Sequence, residues 1–192
     1  MKKKIVVTTI MTALVFSCIS NAFGAEGSPT EELYPPVTLD IEIDPVAYAL
    51  GGYSVHGGIG WRRFRVDLGA FGMELPEWAH KNEGFSARFG GYGMKVQYFL
   101  MDRQGGPFLG ASAGVLLPVV TLKDTEFAAT FRQFNAGLQA GWRVEIGAGF
   151  FLTPWVGVDY NFGAPEITLM EQTYEHQQWT FFPTVHLGYR TR

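Results

Sequence analysis

The chain has 192 residues, 18 of them acidic and 15 basic, with a single cysteine. Lys2, Lys3 and Lys4 precede every carboxylate, so the chain beyond residue 24 carries twelve basic residues against eighteen acids, a net charge of about −6 with His neutral. That balance excludes a nucleic-acid-binding surface, and the lack of any later apolar run of about eighteen residues excludes a spanning helix.

Lys2, Lys3 and Lys4 form a positive n-region, residues 5–19 are mostly apolar, and Ala22-Phe23-Gly24 has a small-x-small cleavage pattern. Residues 1–24 therefore read as a secretory signal peptide. Cys18 lies inside it, so the mature chain has no disulfide. Val15-Phe16-Ser17-Cys18 faintly resembles a lipoprotein box, but Phe16 fits it poorly and a better site follows. Residues 25–36 are polar and proline-bearing and read as a disordered leader. The domain is expected over residues 37–192.

From residue 37 onward apolar residues alternate with small or polar ones, the period of an extended strand. A first strand is expected at 37–43, broken by Asp44-Pro45. Residues 46–52 read as a loop tip or the start of strand two, which runs 53–61. Arg62-Arg63 makes a tight reversal into strand three at 64–73, and a longer break over 74–83 holds one helical turn after Pro76. Strand four covers 85–100. Its apolar phase slips near Gly90-Gly91, which predicts a β-bulge there. Strand five follows at 108–117, after a turn at 102–106.

Strand six is the clearest, from 127 to 146. Phe134, Ala136, Leu138, Ala140, Trp142 and Val144 share one face, against Asn135, Gly137, Gln139, Gly141, Arg143 and Glu145. Gly147-Ala148-Gly149 turns the chain into strand seven at 151–162. The longest break is 163–178, where Ile167, Met170 and Tyr174 have helical spacing and suggest a short surface helix. Strand eight runs 179–190. Pro183 lies within it and predicts a local irregularity; Pro154 is expected near a strand start.

Eight strands, an even count, alternate between short and long connections. Only Lys81, Lys95 and Lys123 remain among the lysines beyond the signal, too few to solvate the outside of a soluble sheet. A chain that spans a bilayer without helices must close its sheet, so that every backbone amide is paired. The fold class expected is all-β: a transmembrane, antiparallel, eight-stranded up-and-down β-barrel, greasy outside and polar inside.

Over residues 37–190 this pattern resembles the small eight-stranded outer-membrane barrels of Gram-negative bacteria. The resemblance implies export through the periplasm to the outer membrane, contact with outer-membrane lipid, and handling by the barrel-assembly machinery. In that family the last residue is usually aromatic; here Tyr189 is followed by Arg190-Thr191-Arg192.

The expected inward face collects His56, Arg65, Asp67, Arg88, Arg143, Glu145, Asp159 and His186. Buried charges need partners, so the plain expectation is an ion-paired plug, and the sharper one a binding or proton-handling site on His56 and His186. Lipid-deacylating barrels resemble this chain in size and carry a His-x-Ser pair facing lipid. The nearest match is Thr184-Val185-His186, reversed in order and facing inward. His80 and His176, in the loops near Glu77 and Glu175, read as solvated. No phosphate loop or metal-ligand spacing is present, so no cofactor is expected. Three functions compete. One is a non-enzymatic outer-membrane barrel with a structural or surface-binding role carried by its outer loops, for an extracellular ligand the sequence does not name. The others are an outer-membrane lipid hydrolase or acyltransferase, and a soluble periplasmic barrel in the manner of lipocalins.

Overall fold

The computed structural model describes residues 37–101 and 104–191. The expected signal peptide at 1–24 and leader at 25–36 lie outside the described residues.

Alternation of branched or aromatic with small or polar side chains gives a strand two unlike faces, and eight such strands find matching neighbours only by closing on themselves. In chain order the strands are β1 (Val37–Ile43), β2 (Tyr53–Trp61), β3 (Phe64–Leu75), β4 (Phe85–Phe99), β5 (Gly106–Leu122), β6 (Ala128–Thr130), β7 (Gln133–Gly147), β8 (Phe150–Phe162), β9 (Ile167–Leu169), β10 (Gln172–Tyr174) and β11 (Trp179–Arg190). The short β6, β9 and β10 belong to the loop end. The other eight pair antiparallel in sequence, β4 with β5 and β5 with β7 included, and β1 pairs with β11, so the sheet is a closed eight-stranded barrel. Short reversals lie at one end: Arg62 adopts φ 53°, and Gly147, Ala148 and Gly149 all have positive φ in the turn between β7 and β8. The long connections lie at the other end.

The outer wall is apolar. Leu39, Ile41, Ile59, Leu68, Tyr92, Leu109, Leu138 and Phe181 all face out and are exposed, Leu138 by 72%. Inward positions over the middle of the barrel are mostly polar or glycine, with Phe71, Phe151 and Trp155 set among them.

Towards the long loops this polarity inverts, and the inversion corrects the reading of strand four. The ladder of β4 runs unbroken through Gly90 and Gly91 to both β3 and β5, with no bulge. Below the glycine pair Tyr92, Met94 and Val96 point out; above it Phe85 and Ala87 point in, while Ser86 and Arg88 point out. The register is constant and the surroundings change. The inward residues join a small core of Phe85, Ala87, Val120, Leu122, Phe131 and Tyr174. That core explains why β5 continues past Pro118 and why the expected sixth strand is split, with β6 pairing back onto β5. The helix suggested over 167–174 is instead the β9–β10 hairpin. Met170 and Glu171, at φ 46° and 69°, form its turn and bring Ile167 opposite Tyr174. The helical spacing is the coincidence of a tight reversal.

Residues 46–52, open in the sequence between loop tip and strand, begin as a helix, α1 (Pro45–Ala49), whose cap is Asp44 accepting from Val46 N at 2.8 Å. Proline at the first helical position suits the start of a helix. A second turn of helix, α2 (Glu77–His80), follows Pro76 as expected.

Because Asp44-Pro45 ends β1 early, the wall has a seam. The β1–β11 ladder stops at Ile43↔Leu187. Beyond it, among the described residues, no strand pairs with Trp179–His186 on that side; α1 packs between β2, β3 and β11 instead. Thr191 N donates to Leu39 O on this edge of β11, so alternate residues along the strand from Thr191 turn their backbone N the same way. Pro183 is one of them. Its missing donor faces the position without a strand, and the β8 ladder passes Pro183↔Val156 without irregularity. Pro154 is the fifth residue of β8, in its first half: the β7–β8 register runs to Gly141↔Trp155 and resumes at Val144↔Leu152, on either side of it.

Candidate functional site

Inward side chains of neighbouring strands meet in the lumen as one buried ionic cluster. β1 supplies Asp40 and Glu42, β2 His56, β3 Arg65 and Asp67, β4 Lys95, β7 Arg143 and β11 His186, all buried. Arg65 is the hub: its Nε donates to Asp40 at 3.0 Å, Nη1 to Gln97 at 3.0 Å and Nη2 to Asp67 at 2.9 Å, and Nη2 lies 3.1 Å from Glu42. Arg143 Nη2 donates to Glu42 at 2.6 Å, and its guanidinium lies 4.1 Å from the centre of the Phe151 ring. Lys95 Nζ is 3.2 Å from Asp67. His186 Nδ1 meets Glu42 Oε2 at 2.9 Å. His56 Nδ1 meets Asp67 Oδ1 at 2.9 Å, and its Nε2 is 3.1 Å from Ser54 Oγ. The two imidazoles are 4.9 Å apart.

With both imidazoles neutral the cluster balances, Asp40, Glu42 and Asp67 against Arg65, Lys95 and Arg143. Full desolvation of such charges is tolerated only with complete pairing and hydrogen bonding, and the network supplies both. Space for it comes from glycine. A Cβ on Gly58 would collide with Asp40 Oδ1 and the Arg65 guanidinium, and one on Gly69 with the His56 ring. Gly58→Ala is therefore expected to cost about 1–3 kcal/mol through overpacking. Gly57→Ala, on the outward face with nothing within 4 Å of its Cβ, should stay within about 0.5 kcal/mol of the parent. Unfolding midpoints of the two variants in urea provide the comparison.

Five of the eight expected lumen residues, His56, Arg65, Asp67, Arg143 and His186, converge here. Asp159 also faces the lumen but joins a separate group, accepting from Ser112 Oγ at 2.9 Å and Asn135 Nδ2 at 3.1 Å. Glu145 sits at the short-turn rim, its side chain 48% exposed and 3.2 Å from Arg190; the strand has left the enclosed lumen by that point. Arg88 is on the outside, because β4 has no bulge to turn it in. Asp40, Glu42, Lys95 and Ser54 belong to the cluster beyond the expected set. Each stands on the polar face of its strand in plain alternation, which is the signal the sequence offers for them.

The loop histidines are not simply solvated. His80 is buried against Tyr174, with ring centres 6.0 Å apart, and its Nδ1 accepts from Asn82 N. Burial, helped by the Lys123 charge, holds its imidazole below the usual range, against an opposing pull from Glu77. Burial likewise raises the Tyr174 phenol. His176 Nε2 donates to Pro165 O.

No protein-family model matches the chain, and no curated protein matches it in sequence. Among solved structures it is similar to the N-terminal β-barrel domain of Pseudomonas aeruginosa OprF, at 12% identity over 80% of this chain and 97% of that one, with a TM-score of 0.45. It is similar to Neisserial surface protein A at 13% identity, over 80% and 94% of the two chains, TM-score 0.43. A major outer membrane protein from Thermus thermophilus aligns at 12% identity, over 81% and 99%, TM-score 0.47. All three superpositions are loose, and the features described above belong to this chain's own wall and lumen.

Proposed function

We propose that this chain is an outer-membrane barrel whose lumen is an ion-paired plug and whose long-loop end serves a structural or surface-binding role. The observation that carries this reading is the polarity of the wall. Leucine, isoleucine and aromatic side chains cover the outside of the middle strands, while Asp40, Glu42, Arg65, Asp67, Lys95 and Arg143 are buried inside. A soluble ligand-carrying barrel needs the opposite arrangement, with an apolar cavity and a solvated exterior. Hydrocarbon against the outer face removes the cost of exposing it to water, and a closed antiparallel sheet meets the demand for backbone pairing.

The loop end supports recognition rather than transport. β4 and β5 extend beyond the polarity inversion and are capped by the β9–β10 hairpin over a packed core. Loops on a rigid scaffold carry recognition, and Glu166, Glu171 and Glu175 make this one acidic. The barrel-assembly machinery is the partner proposed for insertion, and outer-membrane lipid the surrounding one.

The test is cell fractionation with detergent extraction of the envelope. The mature chain is expected in the outer-membrane fraction, and the purified protein should give no steady conductance in a planar bilayer. Recovery in the soluble periplasmic fraction overturns the membrane reading; a steady open conductance overturns the plug.

A further inference from the structure

We propose that Ser54, His56 and Asp67 form a hydrolytic triad that cleaves acyl esters of membrane lipid admitted through the seam between α1 and β11. The substrate class rests on the membrane placement proposed above; the triad rests on geometry alone.

The three side chains come from adjacent strands and stand in line. Ser54 Oγ lies 3.1 Å from His56 Nε2, and His56 Nδ1 lies 2.9 Å from Asp67 Oδ1. The tautomer that donates Nδ1–H to Asp67 leaves Nε2 to accept the serine proton, the division of roles a general base requires. Arg65 and Lys95, at 2.9 and 3.2 Å from Asp67, hold its carboxylate in place behind the ring. Gly69 leaves the space in which the imidazole stands, and Phe71 stacks parallel to it at 6.1 Å.

Location supplies the substrate. Ser54 lies on β2 beyond the last β1–β2 pair, Glu42↔His56, at the level where β1 gives way to α1. Across the seam, β11 turns Phe182, Thr184 and His186 inward, with Trp155 5.8 Å from Phe182 and 5.5 Å from His186. These aromatic faces suit an acyl chain. Thr184 carries a buried hydroxyl with no protein partner. Ser54 itself is buried, and Tyr48 of α1 donates its hydroxyl to Ser54 O at 3.2 Å. The helix is thus the cover that a substrate displaces, between Pro45 on one side and Gly51-Gly52 on the other.

In the reaction Ser54 Oγ bonds to the ester carbonyl carbon as its proton passes to His56 Nε2. The carbon–oxygen ester bond then breaks, and the leaving alcohol takes that proton. Water attacks the acyl-serine, gives one proton to His56, and releases the fatty acid; the proton returns to Ser54.

The experiment uses the full chain, exported with its own leader and purified in detergent. It is assayed on p-nitrophenyl butyrate in detergent and on phosphatidylethanolamine vesicles, and treated with an alkyl fluorophosphonate followed by mass spectrometry. The expected results are hydrolysis of both esters and label on Ser54. Ser54→Ala and Asp67→Asn should each lower hydrolysis by at least about 100-fold, and Ser54→Ala should do so while keeping the parent's unfolding midpoint within error. Absence of both label and hydrolysis in wild type that co-floats with vesicles overturns the triad. Hydrolysis of the short ester alone keeps the triad and overturns the lipid substrate. Wild type that does not co-float contradicts the membrane reading, and the detergent assay then decides the triad by itself.

Discussion

Arg65→Met is expected to lower the stability of the folded barrel by about 3–5 kcal/mol, the cost of stranding a buried charge. Methionine keeps a long apolar stem but removes the guanidinium that touches Asp40, Glu42, Asp67 and Gln97. Three carboxylates would then face only Arg143 and Lys95 in a desolvated lumen. Adding Asp40→Asn restores the balance, since Asp40 is the acid that Arg65 grips from both Nε and Nη2. The double variant should recover part of the loss, a non-additivity of about 1–3 kcal/mol. Urea unfolding in lipid vesicles measures all three proteins. A single variant within about 0.5 kcal/mol of the parent would show that the cluster does not hold the barrel together.

Leu138→Arg separates membrane from water more sharply than any lumen change. Leu138 sits near the middle of β7, points outward, and has Ala111 and Val158 as its ladder neighbours. In a bilayer an arginine at that height costs about 2–4 kcal/mol. On the surface of a soluble barrel the same substitution stays within about 0.5 kcal/mol and improves solubility. Arg88→Leu is the matching control: Arg88 is exposed on the outer wall beyond the polarity inversion, so removing its charge should leave vesicle stability nearly unchanged. Equal effects at the two positions would place the bilayer elsewhere on the molecule or nowhere.

The eight barrel strands are legible in the sequence because each has two unlike environments, and alternation reports environment directly. The same fact explains where the reading fails. At Gly90 the environments exchange sides while the backbone continues, and a pattern of apolar residues registers that as a slip. Arg88 falls on the wrong face of the expected strand for this reason alone. The β9–β10 hairpin is hidden because a two-residue turn at Met170-Glu171 sets Ile167, Met170 and Tyr174 at spacings a helix also gives. Of the ionic cluster, the residue types and faces are visible, but which of them share a level depends on strand stagger, set by long-range pairing. Asp40 and Glu42 meet Arg143, about a hundred residues away, and alternation cannot show that. Ser54 shows only its place on the polar face of its strand; a serine two residues from a histidine becomes notable only when Asp67 arrives from the next strand.

The exchange of sides at Gly90-Gly91 also works as a waterline. On β4, outward side chains below it (Tyr92, Met94, Val96) suit oil, and those above it (Ser86, Arg88) suit water. A barrel floated too high would lift Tyr92 and Met94 into solvent, and one sunk too low would drown Arg88. In the membrane placement proposed above, the alternation of this single strand would set the height at which the barrel rides, with the capped core and its acidic hairpin above that mark.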